Sequence, residues 1–259
     1  MMILKCQTDT LSQLRQFAQS DRHSVLIEGP QGCGKSYLAA EYGKLLGISD
    51  VVTVNATVSD LRSMLDSCYS IETPVVVCIE GLDGGQLSAS YVILKFLEEP
   101  KSNVYMVITC SNVYRIPDTI LSRSVVATIG HPTTSELVDY MKVKYPERLD
   151  LLQHPVSKAF MTFKDIDIAV KLTTEELQYY EEISHIVPKD SVSSISWKLG
   201  HYEAGVESNL VFVLRCIMNS TSNKALKLIC IETLKEIEMR RMSLNAILSK
   251  FAFDFKYGV

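Results

Sequence analysis

Apolar positions along the first 130 residues switch repeatedly between two periods. Leu11, Leu14 and Phe17 recur at helical spacing and predict a helix over residues 10–20. The run Ser24-Val25-Leu26-Ile27-Glu28 reads as a short strand, and Tyr37–Leu46 as a helix that Gly47 ends. Val51–Val54 is a second, β-branched strand, and Asp60–Tyr69 has helical spacing. Pro74 opens Val75–Ile79, apolar at every position, as a central parallel strand covered on both faces should be. Ser88–Glu99 reads as a helix stopped by Pro100, Val104–Thr109 as another buried strand, Pro117–Ser122 as a short helix and Val125–Ile129 as a last strand. Strands alternating with helices predict an α/β domain of three layers around a parallel sheet.

Beyond His131-Pro132 only helical patterns remain. Thr133 or Thr134 with Glu136 has the spacing of a helix start. Residues 133–183 read as two or three short helices, 184–196 as a Ser-rich polar linker, and 206–219 and 222–253 as longer amphipathic helices. The expected division is an α/β domain over 1–131, a small helical domain over 132–183 and an all-helical C-terminal domain over 184–259. The last of these carries Leu210, Val211, Phe212, Val213, Leu214, Ile217, Leu226, Ile229 and Ile231, more apolar surface than a helix pair can bury alone. That surplus predicts oligomerisation through residues 184–259.

Composition narrows the class. With 47% apolar residues, 259 positions can bury a sizeable core unaided. Lys+Arg 26 against Asp+Glu 30 excludes a polybasic protein, while leaving room for a local basic face. The seven cysteines are odd in number, lack CxxC spacing and lie partly inside apolar runs, which predicts buried thiols rather than disulfides or a zinc site. The five histidines show no metal spacing, and Lys235, Arg240, Arg241 and Lys250 are interleaved with acids like a solvated helix face. No charged-then-apolar leader opens the chain, and Arg215 breaks the longest apolar stretch, Leu210–Met218. The expectation is a cytoplasmic protein without membrane contact.

The chemistry concentrates in Gly29-Pro30-Gln31-Gly32-Cys33-Gly34-Lys35-Ser36, which fits G-x-x-x-x-G-K-[ST] between a predicted strand and a helix that opens with Tyr37. Glycines let successive backbone N–H groups turn inward around phosphate oxygens, and the helix N-terminus adds its positive end. Lys35 would face the terminal phosphates and the Ser36 hydroxyl would ligate Mg²⁺, so ATP or ADP with Mg²⁺ is the implied ligand. Such a loop needs an acid at the end of a neighbouring strand, and Glu80 stands there as the second Mg²⁺ ligand. The next position, where a catalytic Glu is usual in this branch of NTPases, is Gly81; Asp83 is the nearest substitute base.

Two further strings, Leu94-Lys95-Phe96-Leu97-Glu98-Glu99-Pro100 and Thr119-Ile120-Leu121-Ser122-Arg123-Ser124, resemble the LLKxLEEP and TxxSRC hallmarks of AAA+ clamp-loader ATPases. With the phosphate loop, they make the chain resemble most closely the bacterial delta-prime and gamma/tau subunits over residues 10–130. The resemblance implies a P-loop AAA+ domain, a helical lid and an oligomerising helical collar. It implies that Arg123 is an arginine finger acting on a neighbour's nucleotide, that Ser111 is the sensor after the fourth strand, and that Lys164 is the lid residue that senses nucleotide. Implied partners are other clamp-loader subunits in a ring-like hetero- or homo-oligomer, a sliding clamp and primer-template DNA, in a bacterial or phage-infected cytoplasm. The chain departs from the family at Ser124, where Cys is usual, in lacking the family's zinc-binding cysteine cluster, and at Gly81. Its compactness is nearer to a phage or mobile-element version. Two other readings fit the same residues: a non-hydrolysing stator or adaptor subunit, and a helicase loader on the same fold.

Overall fold

The structure, a computed structural model, describes residues 5–20, 22–85, 87–184, 206–239 and 243–257. The chain divides into two compact units, Met1–Glu136 with Thr162–Lys164, and Leu137–Met161 with Asp165–Val259.

In the first unit the predicted strands pair into one parallel sheet. The strands are β1 (Ser24–Glu28), β2 (Val51–Asn55), β3 (Val75–Glu80), β4 (Val104–Cys110) and β5 (Val125–Thr128), in the order β2-β3-β4-β1-β5. Leu26 lies opposite both Ile108 and Val126, and Val77 opposite both Val52 and Met106. This register brings Glu28, Glu80 and Cys110 to one edge of the sheet. Successive side chains leave opposite faces, and both faces are covered. Leu26, Val77, Ile79, Met106 and Ile108 pack against Leu61 and Met64 of α3 (Val58–Ser70) and Ile93 and Phe96 of α4 (Leu87–Glu98). Val25, Ile27, Val76 and Val107 pack against Leu11 and Leu14 of α1 (Lys5–Ala18) and Leu38 and Tyr42 of α2 (Lys35–Leu45). A short helix, α5 (Asp118–Leu121), precedes β5.

Helix α1 starts at Lys5, five residues before the apolar pattern announces it. Its first turns bury polar groups instead: Gln7 and Thr10 are both inaccessible, and the Thr10 hydroxyl donates to the Thr128 carbonyl at 2.8 Å. Hydrophobic spacing cannot register contacts made by hydrogen bonds.

The remaining helices are α6 (Thr134–Lys144), α7 (Phe163–Ala169), α8 (Thr174–Ser184), α9 (Val206–Ser220), α10 (Lys224–Met239) and α11 (Leu244–Tyr257). Between α6 and α7 the chain forms two 3-10 segments, each opened by a proline, at Pro146–Leu152 and Pro155–Ala159. The pattern expected as one helix over 222–253 is two helices, which lets α11 fold back on α10 and bury Phe251 and Phe255. The linker expected over 184–196 lies outside the described residues except for Ser184, as do His185, His201, Arg240 and Arg241. The second unit itself buries much of the expected surplus of apolar surface. Leu210, Phe212, Val213, Leu214, Ile217 and Leu226 are inaccessible, and Phe212 packs on Phe160 and edge-on against Tyr180. Exposed apolar side chains remain at Leu228, Ile231, Phe253 and Tyr257. Cys78, Cys110, Cys216 and Cys230 are buried, and burial pushes each thiol up to about 12, so they stay protonated. Among the described residues no helix is long and apolar enough to cross a membrane.

Of the two threonines that could start α6, Thr133 is the cap. Its N–H and hydroxyl donate to a Glu136 carboxylate oxygen at 2.8 and 2.7 Å, and the Glu136 N–H donates back to its hydroxyl at 3.3 Å. Thr133→Ala should therefore cost about 1 kcal/mol, read as a shift in urea midpoint. Thr134→Ala, at an exposed position outside this exchange, should leave the midpoint within error.

Candidate functional site

The loop between β1 and α2 begins where the chain squeezes out between two other strands. The Gly29 N–H donates to the Cys110 carbonyl at 3.1 Å, and the Ile129 N–H to the Glu28 carbonyl at 2.8 Å. A Cβ on Gly29 would lie 2.5 Å from the Ile129 carbonyl oxygen, a backbone atom that cannot step aside. Gly32 and Gly34 take φ of +83° and +95°, conformations that side chains resist. A Cβ on Gly32 would lie 2.6 Å from Lys164 Cβ and 2.7 Å from Thr162 Oγ1, and one on Gly34 would lie 2.6 Å from Gln7 Nε2. The loop's glycine backbone is thus held between the first turn of α1 and residues 162–164, with Gln7 Nε2 reaching the Cys33 carbonyl at 3.5 Å.

At the far end of this loop α2 starts at Lys35, its N-cap being the left-handed Gly34. The Lys35 ammonium donates to the Gly29 and Pro30 carbonyls at 2.6 and 2.9 Å. Burial lowers its pKa, while Cys33, Asp83, Cys110 and Glu80 pull in the other direction. The Ser36 hydroxyl donates to the Glu80 carboxylate, so the hydroxyl and acid named from sequence do meet. Pro30, Gln31, Cys33 and Gly34 form the body of the turn, with Cys33 buried beneath it. Tyr37 faces along α2, where burial and a hydrogen bond to Glu41 raise its phenol pKa.

Position 81 has a structural explanation. Gly81 adopts φ +65°, and the chain turns through the 3-10 segment Leu82–Gly84 immediately after it. The Gly81 N–H donates to Thr109 Oγ1 at 3.1 Å, and Thr109 donates on to the Ile79 carbonyl at 3.3 Å, which ties the ends of β3 and β4 together. The turn carries Asp83 back toward the phosphate loop, close enough to act on Lys35. Asp83 Oδ2 accepts the Asn112 N–H at 3.1 Å. Beyond β4 it is this Asn112 amide, rather than the exposed Ser111 beside it, that bonds to the site. Glu28, at the end of β1, accepts the Val113 N–H at 2.9 Å and anchors the same loop.

Arg123 lies elsewhere. Its guanidinium donates to Glu98 at 2.8 Å and to the Thr119 carbonyl at 2.8 Å. The adjacent Ser124 hydroxyl shares a 2.8 Å hydrogen bond with Ser24, so the serine that replaces the family's cysteine has a buried polar partner. Ser24 opens β1 and Glu28 closes it, and four steps of about 3.3 Å separate the two edges by about 13 Å. Arg123 therefore stands at the opposite edge of the sheet from its own chain's loop. Lys164 does lie at the loop, with its Cβ against Gly32 and its side chain exposed.

The residues fit a magnesium-bound nucleotide. A glycine cradle that any Cβ would fill offers backbone N–H groups to phosphate, and Ser36 with Glu80 supplies the hard oxygen donors that Mg²⁺ takes. Sequence reasoning missed Gln7, Glu28, Thr109 and Thr162. Thr109 carried the one usable signal, a hydroxyl inside the otherwise apolar run Val104–Cys110.

Residues 52–133 match the family described as DNA polymerase III, delta subunit. In structure the chain is similar to a DNA polymerase III gamma subunit-related protein from Thermotoga maritima, with a TM-score of 0.56 at 15% identity over 96% of this chain and 99% of that one. It is also similar to the RuvB Holliday junction branch migration motor of Thermotoga maritima, with a TM-score of 0.51 at 14% identity over 95% of this chain and 83% of that one. No curated protein sequence matches the chain significantly. The chain has an α/β AAA+ fold and, by its matched segment and its fold together, resembles the clamp-loader ATPase subunits.

Proposed function

We propose that this chain is an ATP-binding subunit of a DNA sliding-clamp loader, acting within an oligomer to help open a clamp and place it on primer-template DNA. The observation that carries the nucleotide half of this reading is the Ser36–Glu80 contact at the mouth of a glycine-lined loop. The clamp-loader half is supported by the match over residues 52–133 and by the hallmark strings around Glu98 and Arg123.

Bound nucleotide with Mg²⁺ would supply the phosphoanhydride bond and the counter-charge for it. The chain's own residues do the holding. Backbone N–H groups of residues 32–36 would face the phosphates, and Lys35, now on the Gly29 and Pro30 carbonyls, would turn to phosphate oxygens. Ser36 and Glu80 would hold the metal, and Lys164, whose Cβ lies against Gly32, would address the terminal phosphate. Arg123 works in trans: its distance from its own loop leaves a neighbour's nucleotide as its target, and it must first leave Glu98, an exposed ion pair worth under about 1 kcal/mol. Leu228, Ile231, Phe253 and Tyr257 offer the C-terminal helices apolar surface for assembly.

A second reading, the slowly hydrolysing or non-hydrolysing stator, draws on Gly81. A general base must reach the attacking water. Gly81 has only backbone, Glu80 is committed to Ser36 and the metal, and Asp83 accepts the Asn112 amide. The helicase-loader alternative draws on the fold alone, and no residue of the site favours it.

Lys35→Ala should weaken Mg-ATP binding by about 2–4 kcal/mol, since charge-assisted contacts are lost; nucleotide-dependent thermal stabilisation as large as in wild type would refute the loop assignment. Arg123→Ala should leave the isolated chain's nucleotide affinity unchanged and lower the ATPase rate of the reconstituted assembly by about 10³-fold or more, measured at steady state. Wild-type protein alone should turn over ATP slowly. Fast turnover abolished in Asp83→Ala would instead make Asp83 the base. Gly81→Glu should raise the rate if its side chain reaches the water; space is open there, but the φ of +65° costs about 1–2 kcal/mol of stability.

A further inference from the structure

We propose that the free edge of β2 is a docking site for an extended, basic peptide segment of a partner protein, which adds to the five-stranded sheet as a further strand and lays alternate side chains in the groove beside α3. The inference goes beyond the nucleotide-binding reading and draws on none of that site's residues.

The two edges of the sheet differ. Along β5, α1 packs against the strand, and the Thr10 hydroxyl occupies the Thr128 carbonyl. β2 has no such cover. The Asp50 carbonyl accepts the Val76 N–H at 2.9 Å, and this phase directs the main-chain groups of Val52 and Val54 inward to β3. Those of Val51 and Thr53 therefore point away from the sheet, and among the described residues nothing bonds to them there. The open run ends at Asn55, whose carbonyl accepts the Thr57 N–H at 2.8 Å. Natural sheets ordinarily blunt an edge with a charge, a proline or a bulge. Val51-Val52-Thr53-Val54-Asn55 has none of these and pairs with β3 residue for residue.

On the α3 side of this edge lies a groove of about 400 Å³, lined in part by Val52, Val54, Met64, Cys68 and Ile71. Val52 is 45% exposed, although it stands on the face that α3 and α4 cover further in. An added strand would use both features: its main chain pairs with Val51 and Thr53, and every second side chain enters the groove. The groove is also preformed. Thr57 caps α3 by accepting the Asp60 N–H at 3.2 Å. At the other end the Lys101 ammonium donates to the Cys68, Tyr69 and Ile71 carbonyls, and Asn103 Nδ2 donates to those of Ile71 and Thr73. A cleft fixed at both ends needs little ordering when it is filled.

Charge selects the occupant. Asp60 is the one charged side chain among the described residues lining the groove, and it stands at the Asn55 end, where α3 begins. At the Val51 end, Asp50 and Glu72 flank it and are exposed. Lys101 is committed to carbonyls, and Arg62 projects about 200° round α3 from Asp60. Carboxylates thus mark both ends of an apolar edge. A segment with β-branched residues at its centre and lysine or arginine at its ends is matched along its length, and an acidic one is repelled.

The test is titration of the full chain with two fluorescent, end-capped peptides, KVTVTVK and EVTVTVE. Each reads the same in both directions, so neither strand orientation is presupposed. KVTVTVK should bind saturably and about tenfold more tightly than EVTVTVE. Asp60→Asn should narrow that preference about two- to fivefold, the size of an exposed ion pair. Thr53→Pro removes an outward donor and spares the β3 ladder; it should weaken KVTVTVK about tenfold or more, with melting temperature recorded alongside. Amide hydrogen exchange on the wild-type protein supplies a readout that needs no variant. KVTVTVK should slow the Val51 and Thr53 amides and leave those of Val52 and Val54, already bonded to β3, unchanged. No saturable binding up to about 1 mM peptide, equal affinity for the two peptides, or protection without this alternation overturns the inference. So does self-association of the wild-type chain through β2, lost in Thr53→Pro, which would make a second copy the occupant.

Discussion

The candidate site depends on one close approach, the exit of the chain from β1 past Ile129. β1 lies between β4 and β5, so the residue after Glu28 must pass between two strand ends that are already hydrogen-bonded to it. Only a glycine fits, because a Cβ would enter the Ile129 carbonyl. Once Gly29 is pinned to Cys110, the origin of the loop is fixed relative to β3, two strands or roughly 10 Å away. The loop and the first turn of α2 span that gap, and Ser36 arrives at Glu80. The meeting of the two residues proposed to hold the metal is set by backbone packing at Gly29, a position with no side chain to ligate anything.

The same economy explains position 81. In the AAA+ pattern the residue after the metal acid carries a carboxylate; here it carries none and takes a left-handed conformation instead. That conformation turns Leu82 into the core and brings Asp83 round beside Lys35 and the Asn112 amide. The chain has exchanged a side chain at the strand end for a turn, and a negative charge returns to the site from two residues further on. Asp83 is bonded to the loop after β4 at Asn112, and Glu28 holds the same loop at Val113. In the proposed reading this favours a switch over a motor: among the described residues near Lys35, Glu80 already accepts from Ser36 and Asp83 from the Asn112 N–H.

What the sequence made legible follows from what each contact is made of. Strands β1, β3 and β4 were readable to within a residue or so because burial on both faces leaves continuous apolar runs. The phosphate loop was readable because backbone geometry admits few residues at Gly32 and Gly34. The first turns of α1 were not, since Gln7 and Thr10 are buried by hydrogen bonds that hydrophobic spacing ignores. The split of 222–253 into α10 and α11 was hidden because both halves are amphipathic with the same period. The surplus of apolar residues after Leu210 was visible, but its fate was not: most of it closes against Phe160, Tyr180 and the proline-led 3-10 segments, which themselves read as helix.

The geometry of β1 bears on how such a chain would act with its neighbours. At one end Ser24 is tied to Ser124, beside Arg123; at the other Gly29 is tied to Cys110, beside Lys35. Both ties are backbone or buried hydroxyl contacts, and Val25, Leu26 and Ile27 between them are inaccessible. Paired on both sides by β4 and β5, the strand holds its two edges about 13 Å apart. In the proposed reading, a chain with its nucleotide at one edge and Arg123 at the other would not complete its own site. Identical or similar chains placed head to tail can, and each then supplies to its neighbour what it cannot supply to itself. Such heterologous contacts build rings or helices rather than closed two-fold dimers. In the proposed reading, the length of this five-residue strand is what would make a head-to-tail arrangement of partners necessary.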